Sequence, residues 1–182
     1  MPPRVTPAEY QAHAQAGTVT VAAEFTGHGV GTPQGTLTTD DYLVVETGFF
    51  GPAGARANLA IGDFSLRING KKVLPGQPYG MVLNSLKDPE WEPPVKPEKR
   101  SSMSTDGGQG QSGEPPPVPK MTFPERRAME QKVQKATLPE GDRALPVAGL
   151  IFFQYGGKTK GIKSLELIYT GPSGKATLTL QP

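Results

Sequence analysis

The sequence predicts an all-β fold: an antiparallel β-sandwich with a short N-terminal helix and a long insertion that carries one short helix. Three observations predict it. Near the C-terminus Leu165, Leu167 and Tyr169 alternate with Ser164, Glu166 and Ile168, and Ala176, Leu178 and Leu180 alternate with Lys175, Thr177 and Thr179. That period of two is the mark of a strand with one buried and one solvated face. Asn69-Gly70 lies between two apolar runs, and both central positions of a type I′ hairpin turn need positive φ. Finally, the β pattern breaks near Lys87, crosses a tract rich in Pro, Gly and charge, and resumes near Ala148. One core therefore has to be assembled from two pieces, 18–87 and 147–182, around an insertion at 88–146.

The elements follow in order. Thr6 to Ala16 reads as a short helix, with Thr6 as N-cap, Pro7 in the first turn, Glu9 completing a capping box and Gly17 ending it. From Thr18 the period changes to two: Val19, Val21, Ala23 and Phe25 point one way. "TGHGVGTPQG" reads as a loop. Tyr42 to Thr47 reads as a second strand, and its Leu43, Val44 and Val45 run, apolar on both sides, predicts a central position. "FFGPAGARAN" reads as a turn, Asn58 to Ile61 as a short strand, and Phe64, Leu66 and Ile68 as one face of the strand before the hairpin. Lys71 to Leu74 returns from it, and Met81 to Leu86 is expected as a further strand. Residues 88–123 bury too little apolar surface to offset their ordering entropy and are expected to be disordered. Thr122 and Glu125 repeat the capping-box pattern and open a helix over 124–136, with a narrow stripe of Met129, Val133 and Ala136 that predicts light docking. "LPEGDRALP" reads as a loop, Gly149 to Tyr155 as a buried strand, and "GGKTKG" and "GPSG" as turns.

Composition narrows the function. The 182 residues suit one domain, and a formal net charge of +2 offers no electrostatic case for nucleic acid or an anionic membrane. The chain has no cysteine, which removes disulfides and thiolate metal sites. No apolar run is long enough to span a bilayer, and "MPPRVTPAEY" lacks the apolar core of a signal peptide. Either the chain is cytoplasmic or a signal peptide has been removed.

Two stretches carry a family resemblance. "YLVVETGFF…IGDFSLRINGKK", with Asp63, Phe64, Leu66, Gly70 and Lys71, resembles the central part of the immunoglobulin-like domains of unknown function in bacterial lipoproteins and envelope proteins. "GLIFFQYGGKTKGIKSLELIYTGPSGKATLTL" is similar to their C-terminal end. The resemblance covers about half the chain and rests on core and turn residues; the insertion departs from it. It implies an immunoglobulin-like sandwich, a periplasmic or secreted location, and no catalytic residues to carry over.

No motif supports catalysis or a cofactor. The histidines, His13 and His28, have only Asp40 and Asp41 as near partners, and adjacent strand residues face opposite ways. Solvated or locally hydrogen-bonded histidines are the favoured reading, and no metal is expected. There is no Gly-x-Ser-x-Gly elbow. Gly157-Lys158-Thr159 hints at a phosphate loop, but Phe152 stands where a glycine is required and a strand follows. "GHGVG" lacks the dinucleotide-binding spacing. Glu90, Glu92, Glu98 and Glu114 sit among prolines, where glycosidase carboxylates would need a rigid scaffold.

The aromatic residues remain. Trp91, at the start of the insertion, is either a clamp on the folded core or an anchor for a partner or sugar ring, and the clamp is favoured. Phe49 and Phe50, in a Gly/Pro turn, either cap an open end of the sandwich or form an exposed patch. The proline clusters favour polyproline II spacers. The leading expectation is a non-enzymatic, exported or envelope-associated module, acting through protein–protein or self-assembly contacts on its edge strands and insertion. The alternative is a carbohydrate- or cell-wall-binding module using Trp91, Tyr79, Phe49 and Phe50 as stacking groups. A hydrolase with carboxylate chemistry ranks third.

Overall fold

The computed structural model describes residues 1–94 and 118–182. The disorder expected for 88–123 falls mostly on 95–117, outside the described residues. In chain order the elements are β1 (Ala12–Ala16), β2 (Val19–Gly27), β3 (Gly29–Thr32), β4 (Gly35–Thr39), β5 (Tyr42–Phe50), β6 (Arg56–Leu59), β7 (Phe64–Ile68), β8 (Lys72–Gln77), α1 (Tyr79–Val82), β9 (Leu86–Lys87), α2 (Phe123–Ala136), β10 (Gly141–Ala144), β11 (Val147–Gln154), β12 (Leu165–Gly171) and β13 (Gly174–Leu180).

Eight strands form one antiparallel ladder in the order β1-β2-β5-β11-β8-β7-β12-β13. Its bend is at β8, where Lys72 to Pro75 pair with β7 and Gly76 and Gln77 pair with β11. The proline has no amide to give a second neighbour, so the strand changes partner there. The sheet curls until its outer strands lie side by side. At one end the Gln11 side-chain amide donates to the Gln181 carbonyl at 3.2 Å. At the other, a Cβ on Gly17 would fall 2.4 Å from the Ser173 carbonyl oxygen. The result is a nearly closed barrel. The antiparallel all-β class is as the sequence predicts. The separate sheets expected of a sandwich are instead two facing halves of one ladder, joined through β8.

The interior draws on both flanks of the insertion. Phe49 from β5 meets Phe64 of β7 and Tyr169 of β12 edge-on, with ring centroids 5.8 and 5.3 Å apart. Offset aromatic contacts of this kind add to the burial of large rings. Asn69 and Gly70 have φ of 51° and 68°, as the predicted hairpin turn requires.

All nine residues of β5 are buried, because its outer face is covered as completely as its inner one. Tyr42 and Val44 lie in a second apolar cluster with Val30, Leu37, Leu150, Phe152 and, from α2, Met129, Val133 and Ala136. Glu46 lies beneath Arg4, whose Nη2 is 3.0 Å from its carboxylate. Phe50 packs with Tyr10 and Ala22.

Several expectations are corrected. The expected helix at Thr6–Ala16 is a single 3-10 turn, Pro7–Glu9, followed by β1. The capping box forms, but Ala12, Ala14 and Ala16 gain more by pairing with β2 and facing the core. The region 81–86 is helical up to Ser85 rather than a strand. "TGHGVGTPQG" contains β3 and enters the β3–β4 hairpin, and "LPEGDRALP" supplies β10, paired with β6. The turn expected at Phe49-Phe50 begins only after them. Helix α2 is not lightly docked: Val133 and Ala136 are wholly buried, because its narrow stripe meets the apolar outer face of β5 and β11.

Candidate functional site

The most exposed apolar surface near the helices is on their solvent side. Pro78 and Gly80 disfavour a strand and start the short helix α1. The turn that follows is fixed from beneath: the Tyr42 hydroxyl donates to the Met81 carbonyl at 3.1 Å, and the Thr39 and Ser85 hydroxyls are 2.7 Å apart. From α2, Arg126 donates to the Asn84 side chain at 2.9 Å. Between these elements lies an open hollow of about 280 Å³ lined by Tyr79, Leu83, Phe123, Arg127, Glu130 and Gln131. Phe123 is 75% exposed and Met81 58%. Tyr79 is half-buried and also borders a second hollow, of about 330 Å³, against Ile61 and Leu138.

The four aromatic residues named from the sequence have different fates. Tyr79 is part of this cleft. Trp91 is half-buried; its indole N–H donates to Glu125 Oε1 at 3.2 Å, tying residues 88–94 to the first turn of α2. Phe49 is wholly buried in the barrel core, and Phe50 is buried edge-on against Tyr10 with centroids 5.9 Å apart. Neither presents a ring to a sugar, because β5 continues through both positions. Phe123, Met81 and Leu83 were not anticipated. The signal for Phe123 is its place at the first helical position, which lies about 120° around the helix from Met129 at 3.6 residues per turn.

Glu125 has two jobs. The Thr122 amide and hydroxyl donate to it at 2.7 and 2.8 Å. Those bonds, and then the Trp91 indole, hold its carboxyl below the usual glutamate range. A carboxylate whose folded value is depressed keeps its full contribution at neutral pH and loses it as pH falls through that value. Trp91 is the chain's one tryptophan. Its emission should therefore shift as the solution is acidified below the ordinary glutamate range, and Glu125→Ala should show the acid spectrum at neutral pH. Emission that stays constant while the protein remains folded would show that the indole is held by something else.

Elsewhere among the described residues, His28 and Asp40 have local partners. His28 Nδ1 lies 2.8 Å from the Tyr42 carbonyl, His13 is exposed on β1, and Asp40 pairs with Lys87. No group of three or more His, Cys, Asp or Glu side chains there could hold a metal ion. No described helix is long and apolar enough to cross a membrane. No family model, curated protein or solved structure matches the chain.

Proposed function

We propose that the protein is a non-enzymatic binding module that acts through protein–protein contacts on its helical face. The observation that carries this reading is the cleft where Phe123 stays exposed beside the half-buried Tyr79 and Leu83, on a protein that covers both faces of its central strand. Exposed apolar clusters rimmed by polar side chains mark interaction sites, and Arg127, Glu130 and Gln131 provide the rim. The barrel closure favours this face over the outer edge strands, because β1 and β13 lie against each other. An immunoglobulin-like kinship remains part of the proposal; the two facing ladder halves and the Asp63-Phe64-x-Leu66 motif at the start of β7 support it. An envelope location follows from that resemblance alone.

The test is association measured by sedimentation over a range of concentrations, with a photo-reactive side chain placed at 123 to capture partners. Phe123→Ser should abolish the association seen by sedimentation while leaving thermal unfolding nearly unchanged, since a side chain so exposed contributes little to the core. A monomer with no cross-link at 123 removes the reading. Retention on insoluble peptidoglycan that is lost in Tyr79→Ala would favour the carbohydrate alternative.

A further inference from the structure

One end of the barrel is basic in a way the small net charge conceals. The hairpin turn at 69–71, with Lys72 directly after it, and the loop at 156–164 are distant in sequence, and Asn69 joins them. Its Nδ2 donates to the Gly161 carbonyl at 3.0 Å. Its Oδ1 accepts the Lys163 and Ser164 amides at 2.7 and 3.2 Å. Buried Ile162 anchors the loop to the core. Lys71, Lys72, Lys158, Lys160 and Lys163 are thereby gathered, all exposed. None makes an ion pair among the described residues. Nearby Glu166 is neutralised by Arg67 at 2.6 Å. Asp41, whose carbonyl accepts the Tyr155 amide at 2.8 Å, leaves the end with an excess of positive charge.

Three features select the partner. The five cations are all lysines, hydrated point charges on flexible stems, which suit a diffuse anionic surface better than bidentate recognition of single phosphates. Among the described residues this end offers no free platform for stacking bases, since the Tyr155 ring already carries the Lys72 ammonium 5.5 Å from its centroid. Val73, beside Lys72 and 55% exposed, offers an apolar contact suited to the headgroup boundary. We propose that this end of the barrel docks on the surface of a bilayer containing anionic lipid. The contact is peripheral and independent of the helical cleft.

Sedimentation of the full chain with vesicles tests this. It should bind vesicles of phosphatidylserine mixed with phosphatidylcholine, not phosphatidylcholine alone, and release at raised salt. Each lysine near an anionic leaflet is worth roughly a five-fold gain, so Lys158→Gln/Lys160→Gln/Lys163→Gln should weaken binding about a hundredfold. All three side chains are exposed, and unchanged circular dichroism would verify the fold. Lys132→Gln/Lys135→Gln, on α2, should bind as the parent does. Failure to bind the phosphatidylserine vesicles, or an equal loss in the α2 variant, overturns the proposal. Tighter binding to single-stranded DNA than to vesicles at the same salt overturns it too.

Discussion

Replacing Gly149 with alanine should destabilise the fold by about 3 kcal/mol, the upper range for forcing atoms into a filled core. Gly149 lies on the inner face of β11, opposite Thr47. There the chain leaving α2 crosses the strand, and the Leu138 amide donates to the Leu150 carbonyl at 3.0 Å. A Cβ at 149 would sit 2.2 Å from the Leu138 nitrogen and 2.3 Å from its Cα. These are backbone atoms, so no rotamer change relieves the clash. Moving them would draw Leu138 out of the core and pull on the last turn of α2, where the Thr137 amide donates to Val133 at 2.9 Å. Gly62 is the control: a Cβ there meets nothing within 4 Å, and Gly62→Ala should shift stability by less than about 0.5 kcal/mol. Urea unfolding midpoints compare the two. Equal midpoints would mean that the crossing yields freely.

Arg4→Met should cost about 2 kcal/mol. Glu24 and Glu46 are direct cross-strand neighbours on β2 and β5, a placement that is destabilising for like charges. Arg4 resolves it from above. Its Nη1 is 2.5 Å from Glu24, its Nη2 3.0 Å from Glu46, and its guanidinium lies 4.5 Å from the Tyr10 ring centroid. Removing one partner of a buried pair leaves an uncompensated charge, at about 3–5 kcal/mol when burial is complete. Arg4 keeps partial contact with water, so a smaller loss is expected. Adding Glu46→Gln to Arg4→Met should recover at least half of it, because the facing charges are then gone. A double variant no more stable than the single would show that the arginine acts through packing alone.

The strictly alternating strands were legible in the sequence because burial there is one-sided. β7, β12 and β13 each point Phe, Leu, Ile or Tyr inward and polar residues mostly outward, and Asn69-Gly70 sets the register between β7 and β8. Legibility fell where a second structure covers the outer face. Phe49 and Phe50 read as a turn because Gly48 and Gly51 flank them, yet Gly48 belongs to the strand, and a Cβ there would come within 2.7 Å of the Tyr10 hydroxyl. The N-terminal alanines suit a helix locally, and only a neighbouring strand decides for β1. Trp91 and Tyr79 could be singled out as aromatics near the insertion. The cleft itself depends on how α1 meets α2, which no local pattern encodes. The basic end is harder still: Lys71 and Lys163 sit in separate segments, each an ordinary polar turn, and only the β7–β12 pairing and Asn69 bring them together.

Pairing β5 with β11 also sets a clock. Glu46 faces Leu150 across the insertion, so the central strand of the sheet waits for one neighbour until the last third of the chain has been made. At ordinary synthesis rates that wait is roughly 5–20 s. Thermodynamically, the added length is inexpensive, since loop-closure entropy grows only with its logarithm. Kinetically, it leaves Tyr42 to Val45, apolar on both faces, with an open edge on a nascent chain. The tract between the two halves therefore prolongs the period in which a chaperone could bind or neighbouring chains could pair, and shortening it should raise the yield of folded protein before it changes stability.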